Sequence, residues 1–272
     1  MFGRGIEYKQ PDQIRRMRTA GLVVADIHDA VRAAIASGVT TGELDAVARD
    51  VLAGAGATSN FLGYHGFPGV LCVSVNSEIV HGIPGDQVIR AGDVVSVDAG
   101  AVVDGWHGDA AFSVVVPGDE AQVDPADEQL VATTEAAMWA GIAALDGGGR
   151  LGDVGAAVED AAGDYGIVRE YTGHGIGTAM HQPPDVFNYA RRPRGPSIRP
   201  GLCVAVEPML TRGDEATRLL EDDWTVVSAD GSRAAHVEHT VAVHDGGLWV
   251  LTARDGGAAE LAARGVQVVP LA

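Results

Sequence analysis

The same phrase occurs twice in this chain, and each copy ends in a carboxylate. Ile89-Arg90-Ala91-Gly92-Asp93-Val94-Val95-Ser96-Val97-Asp98 returns as Ile198-Arg199-Pro200-Gly201-Leu202-Cys203-Val204-Ala205-Val206-Glu207. Each is an Ile-Arg-x-Gly turn feeding a short apolar strand. A further acid follows each copy, Asp109 in His107-Gly108-Asp109-Ala110-Ala111-Phe112 and Glu238 in Val237-Glu238-His239-Thr240. Two related halves thus each bring two carboxylates into strands, where a charge is costly unless something neutralises it. The repeat points to a pseudo-symmetric body with a metal site built from both halves.

The bulk properties fit one such body. At 272 residues the chain can bury a substantial core, and its 46% hydrophobic content is that of a globular protein. No apolar run reaches the ~18 residues of a transmembrane helix, and the start lacks an apolar signal core. Cys72 and Cys203 read as two free buried thiols, and the protein as cytoplasmic. A net charge of −18 excludes a general nucleic-acid binder, which presents a basic face. The main basic run, Arg191-Arg192-Pro193-Arg194 with Arg199 behind it, reads either as a solvated loop or as a contact for phosphate or an acidic partner.

Along the chain, Ile14, Met17, Val24, Ile27, Val31 and Ile35 recur at helical spacing between about Pro11 and Ala36. Thr40 and Glu43 form a capping box ahead of a second helix stopping near Gly54. Strands are expected at Val70 to Val75, Val94 to Asp98 and Ala110 to Val116. Asp124-Pro125 opens a third helix ending at Gly147-Gly148-Gly149, and Leu151 to Tyr165 makes a fourth. A Gly/His-rich strand segment spans Tyr171 to Ala179, and further strands lie around Val204 and from Val237 to Val243. Helices precede strands in both halves, an α+β architecture with antiparallel hairpins. The expected domain is 1–253, with halves of about 10–123 and 124–253, followed by a peripheral tail, 254–272.

The acids define the chemistry. In the strand ending at Asp98, Val95 and Val97 face one way while Ser96 and Asp98 face the other. A lone buried carboxylate is usually half of an ion pair, but four converging ones are another matter. Two carboxylates ~4 Å apart repel by about 4 kcal/mol at an effective dielectric of 20, and no cationic residue stands beside them in sequence. Divalent cations answer this directly. His174 sits in Gly173-His174-Gly175-Ile176-Gly177, His181 follows, and His81 lies in Val80-His81-Gly82-Ile83-Pro84. His28, His65, His107, His236, His239 and His244 read as structural. Oxygen donors with one imidazole suit Mn²⁺, Fe²⁺, Co²⁺ or Zn²⁺.

Together, Val80-His81-Gly82-Ile83-Pro84, Val97-Asp98-Ala99-Gly100, Gly108-Asp109, Gly173-His174-Gly175-Ile176-Gly177, His181, Glu207-Pro208-Met209 and Glu238-His239-Thr240 resemble the type I methionine aminopeptidases of the M24 peptidases, over about residues 10–253. The resemblance implies the pita-bread (creatinase/aminopeptidase) fold, with a dinuclear metal centre in its central cleft. It places Asp98 on one metal, His174 and Glu207 on the other, and Asp109 and Glu238 between them. It implies removal of the N-terminal methionine, ahead of a small second residue, by a metal-bridging hydroxide. Glu207 would shuttle the proton, His181 would stabilise the oxyanion, and His81 would contact the scissile amide. The methionine pocket would come from Tyr64, Phe67, Cys72 and Trp224, with Phe61 at its edge. Phe61 stands where many bacterial relatives have cysteine, and Phe67 where tyrosine is common.

Only 25 residues separate His181 from Glu207, which leaves no room for the helical insertion of type II enzymes. Prolidases and aminopeptidase P share the ligand logic but carry a long N-terminal domain. A non-catalytic pita-bread binding protein is the alternative from another class; such proteins usually lack some ligands. The expected partners are peptide and nascent-chain N-termini, with no DNA or membrane, and the expected state is a monomer. Relatives that meet the ribosome use basic loops, but the matching loop here, 213–223, is acidic. Arg191 to Arg199 is the patch left for such a contact.

Overall fold

The computed structural model describes residues 5–119 and 122–271. Helix α1 (Pro11–Ala34) starts with Pro at a position where a missing N–H costs nothing, and Gln10 and Gln13 cap each other's backbone. It buries Ile14, Met17, Val24, Ile27 and Val31. Helix α2 (Thr41–Ala55) carries the expected capping box: Thr40 Oγ1 accepts from Glu43 N at 3.2 Å, and Thr40 N donates to Glu43 Oε2 at 2.8 Å. Its end lies beyond Gly54, at Gly56, because Gly56 takes the left-handed conformation (φ 63°) that closes a helix.

A nine-stranded antiparallel sheet forms the centre. Its principal strands are β1 (Leu71–Val75), β2 (Val94–Val103), β3 (Trp106–Val115), β4 (Gly173–Gly175), β5 (Gln182–Val186), β6 (Cys203–Val206), β7 (Glu238–His244) and β8 (Gly247–Val250). The spatial order runs Thr58–Ser59, β2, β3, β7, β6, β4, β5, with β1 also on β2 and β8 also on β7. The two halves meet where β3 pairs with β7, Ala111 opposite Glu238 and Ala110 opposite His239. Each repeat turn thus feeds a strand on its own side of that seam, β2 in one half and β6 in the other.

Helices cover one face of each half. Val24, Ile27, Val31 and Leu44 pack with Val95, Val97 and Phe112. Beyond the seam, α3 (Pro125–Ala143) and α4 (Gly152–Ala162) pack Met138, Ile142, Val154 and Val158 against Val204, Val206 and Val241. The alternation read from sequence is therefore the structural one: the valines of β2 and β6 face helices, leaving the intervening positions to the opposite face. Only residues 173–175 of the Gly/His-rich segment pair as a strand, and α3 ends at Ala143, before the triple glycine. Residues 258–263 form α5, whose Leu261 is buried in the second core. Val268 bridges to Leu248, and His244 Nε2 lies 2.6 Å from the Val269 carbonyl. Cys72 and Cys203 are both free and buried.

A candidate metal centre on the inner face

Sheet register brings the acids together. Residues directly opposite in antiparallel strands share a face, as do positions two apart along one strand. Asp98 is opposite Ala111, Ala111 is two from Asp109, and Ala111 is opposite Glu238. Thr240 shares Glu238's face and is opposite Ala205, two residues from Glu207. Gly175 is opposite Val204, so His174 takes the parity of Ala205. Asp98, Asp109, His174, Glu207 and Glu238 thus project from β2, β3, β4, the end of β6 and β7 into one cavity of ≈ 200 Å³. Ligand atoms of Asp109, His174 and Glu238 lie within 4.8 Å of one another, as do those of Glu207, His236 and Glu238.

Few protein donors reach these acids. Asp98 Oδ1, Asp109 Oδ1, Glu207 Oε1 and Glu238 Oε1 are buried and have no hydrogen-bond partner among the described residues. His174 Nδ1 lies 3.1 Å from the Gly175 carbonyl, which can only accept, so the ring proton sits on Nδ1. The Nε2 lone pair then faces Glu207 Oε1 at 3.3 Å. Burial and the neighbouring His181 drive the His174 pKa down to about 3, so the ring does not answer by becoming cationic. Burial instead pushes Glu207 up to about 8. Burial, with Glu207 adding to it, raises Asp98 to about 7. Asp109 and Glu238 are held well above the carboxylate range by burial and then by their acidic neighbours. Electron-pair donors that face one another with unpartnered oxygens are the donor set of a divalent cation.

The histidines stand around this group. His81 occupies the left-handed region (φ 62°), with its ring edge-on to Tyr171 at 5.5 Å and to Trp224 at 6.3 Å. Its turn is set by backbone bonding: Val73 N donates to Gly82 O at 2.9 Å and Gly82 N to Ser74 Oγ at 3.1 Å. Burial lowers the His81 pKa to about 4. His181 stands at the mouth, its ring 4.3 Å from that of His174, its Nδ1 2.8 Å from the Tyr64 hydroxyl.

The residues that the resemblance implies for a methionine pocket line one side of this cavity. Phe61, Phe67 and Cys72 form a buried cluster with Trp224 packed against it, and Tyr64 completes the lining. Phe67 meets Trp224 edge-on at 5.1 Å. Met180 joins that cluster, and Tyr171 and Met209 also line the cavity, none of them singled out from sequence. His236 is the main omission. Its Nε2 is buried without a hydrogen bond, 3.7 Å from Glu207 Oε2, and its backbone is gripped by Ser113 Oγ. It stands two residues before Glu238 but on a separate short strand, Ala234–His236, so strand periodicity did not point to it.

The profile of metallopeptidase family M24 matches residues 15–245. Methionine aminopeptidase 1 of Mycobacterium tuberculosis is 46% identical over 258 residues, covering 92% of this chain and 96% of that protein. The crystal structure of methionine aminopeptidase from Rickettsia prowazekii superposes with a TM-score of 0.88 at 34% identity, over 92% of this chain and 100% of that one. Prolidase from Pyrococcus furiosus, at 18% identity and a TM-score of 0.71, shares the fold over 90% of this chain but only 65% of its own.

Proposed function

The chain belongs to metallopeptidase family M24, among the type I methionine aminopeptidases, and we propose that its acid-lined cavity holds two divalent cations, Co²⁺, Mn²⁺, Fe²⁺ or Zn²⁺. It is a metal-dependent enzyme that removes N-terminal methionine from proteins and peptides. The observation that carries the metal assignment is the set of unpartnered carboxylate oxygens facing the His174 lone pair. Asp98, Asp109, His174, Glu207 and Glu238 would hold these ions. When bound, such ions supply Lewis acidity and bring the pKa of water from 15.7 towards about 7.

The chain's own groups do the rest. Glu207, beside the nucleophile, takes a proton from the attacking water and returns it to the departing amine. The Tyr64 hydroxyl, donating to His181 Nδ1, leaves the imidazole proton on Nε2, where it meets the negative charge growing on the carbonyl oxygen. His81, neutral and held by its strained turn, contacts the scissile amide. Phe61, Tyr64, Phe67, Cys72 and Trp224 form a soft apolar slot for the thioether side chain. The resemblance to the family carries with it a preference for a small second residue.

We assign the enzyme to the cytoplasm, acting as a monomer on nascent-chain N-termini, with Arg191 to Arg199 as its ribosome contact. In that loop Arg194 is engaged by Asp153 at 2.9 Å and Arg191 lies over the Phe187 ring. Co-sedimentation with ribosomes should weaken when Arg192 and Arg199 are changed to Glu; unchanged sedimentation would remove the assignment. For the reaction, hydrolysis of Met-Ala-Ser, Met-Phe-Ser and Pro-Ala-Ser is decisive. Rapid release from the first alone is expected, and release from Pro-Ala-Ser without release of methionine would overturn the substrate class. His81→Ala should lower kcat by roughly 10- to 1000-fold with metal content intact, and wild-type turnover would remove His81 from the site.

A further inference from the structure

Lys9 is the only lysine in the chain; the other 18 of its 19 basic residues are arginine. It is also buried, 4% exposed, where a lysine is costly unless fully engaged. Its Nζ donates to the Glu7 carbonyl at 3.0 Å and to Gln182 Oε1 at 3.2 Å, with Glu7 Oε1 at 3.8 Å. Glu7 Oε2 in turn accepts from Thr178 Oγ1 at 2.8 Å and from Gln182 Nε2 at 2.9 Å. Lys9 N donates to the carbonyl of Gly201 at 2.7 Å, anchoring the arm to the turn of the second sequence repeat.

This network is wrapped around the loop that carries His181. A side chain at Gly177 would have its Cβ 2.3 Å from Lys9 Cε and 2.7 Å from Nζ, so a larger residue there would displace the ammonium from this network. A compact ammonium directs its donors to these acceptors as a point charge, which a planar guanidinium does not reproduce. On the far side, His107 N donates to the Gly177 carbonyl at 3.0 Å. The loop is therefore clamped at Gly177 and Thr178, three to four residues before His181, and at Gln182 immediately after it. We propose that Lys9 and Glu7 are positioning residues for His181, through which the arm ahead of α1 sets the orientation of the oxyanion donor. This rests on the reading that His181 meets the substrate carbonyl.

A double-mutant cycle on Met-Ala-Ser hydrolysis tests it. Lys9→Met should lower kcat by ~10- to 100-fold, the size expected when a donor is misplaced, with a smaller change in KM and unchanged metal content. In a His181→Ala background the same substitution should cost less than about threefold, because residues acting as one unit are not additive. Multiplicative losses in the double variant, or full kcat in Lys9→Met, overturn the proposal. If Lys9→Met does not fold, Thr178→Val and Glu7→Gln carry the same cycle, with the same two outcomes. Should His181→Ala itself retain wild-type kcat, it is the role of His181 that fails.

Discussion

Asp98, Asp109, Glu207 and Glu238 hold protons more tightly than isolated carboxyls, first because they are buried and then because several face one another. In the unfolded chain such groups titrate near pH 4. Between there and the folded values, about 7 for Asp98 and about 8 for Glu207, the folded state carries more protons than the unfolded one. Above about pH 7, where buried histidines such as His174 and His81, whose pKa values are lowered, no longer add an opposing rise, stability of the metal-free protein must then fall as pH increases towards 8, by about 1.4 kcal/mol per pH unit for each excess proton. Chelated protein in urea at a series of pH values should show this, and a flat or rising profile would contradict the assignment of burial as the cause. Since cations displace these protons, the same titration with metal present should reverse the slope. At a single site, Asp109→Asn removes one mutually repelling carboxyl while Thr240 still holds the backbone N at 3.1 Å. Calorimetry of the metal-free variant should show it about 1–3 kcal/mol more stable near pH 8 than the parent, with metal stoichiometry reduced. Loss of stability would mean that the carboxyl is structurally paired.

Among the elements, α1 is packed closely on the sheet beneath it. A Cβ at Gly21 would lie 2.2 Å from the Leu251 carbonyl oxygen, and one at Gly108 would lie 2.8 Å from Gly21 N. Backbone cannot yield as a side-chain end can, so Gly21→Ala should lower stability by roughly 1–3 kcal/mol in urea unfolding. Because Gly108 adjoins Asp109, the substitution should also weaken metal binding. A variant as stable as the parent would show the helix free to move outward. How much could be read before seeing the structure also divides by element. The valine alternation of Val95 and Val97 against Asp98 was enough to assign faces, and the capping box at Thr40 fixed a helix start. What escaped were residues defined by contact across long separations. His236 belongs to a short strand, Ala234–His236, in a different sheet from β7, so its approach to Glu207 is a tertiary fact. Lys9 meets Gln182 across 173 positions, though its being the sole lysine was visible throughout.

For the whole molecule, duplication explains why the site lies where it does. Each half closes its own core against its own helices, around Val97 and Leu44 in one and Val204 and Val154 in the other. The inner faces are left to meet at the pairing of Ala111 with Glu238. Neither half alone supplies the full set of donors, because Asp98 and Asp109 come from one and His174, Glu207 and Glu238 from the other. A centre built from all five would thus exist only in the assembled sheet. The unpaired oxygens there are a structural cost that bound cations would offset.

The most direct test is metal stoichiometry measured alongside turnover of Met-Ala-Ser, on protein stripped by chelator and reloaded stepwise with Mn²⁺ or Co²⁺. Stripped protein should be inactive, activity should return as ions are added up to two per chain, and Glu238→Gln should lower both occupancy and rate. Full methionine release from stripped protein, or unchanged ion binding in Glu238→Gln, would contradict a cation centre built from these carboxylates.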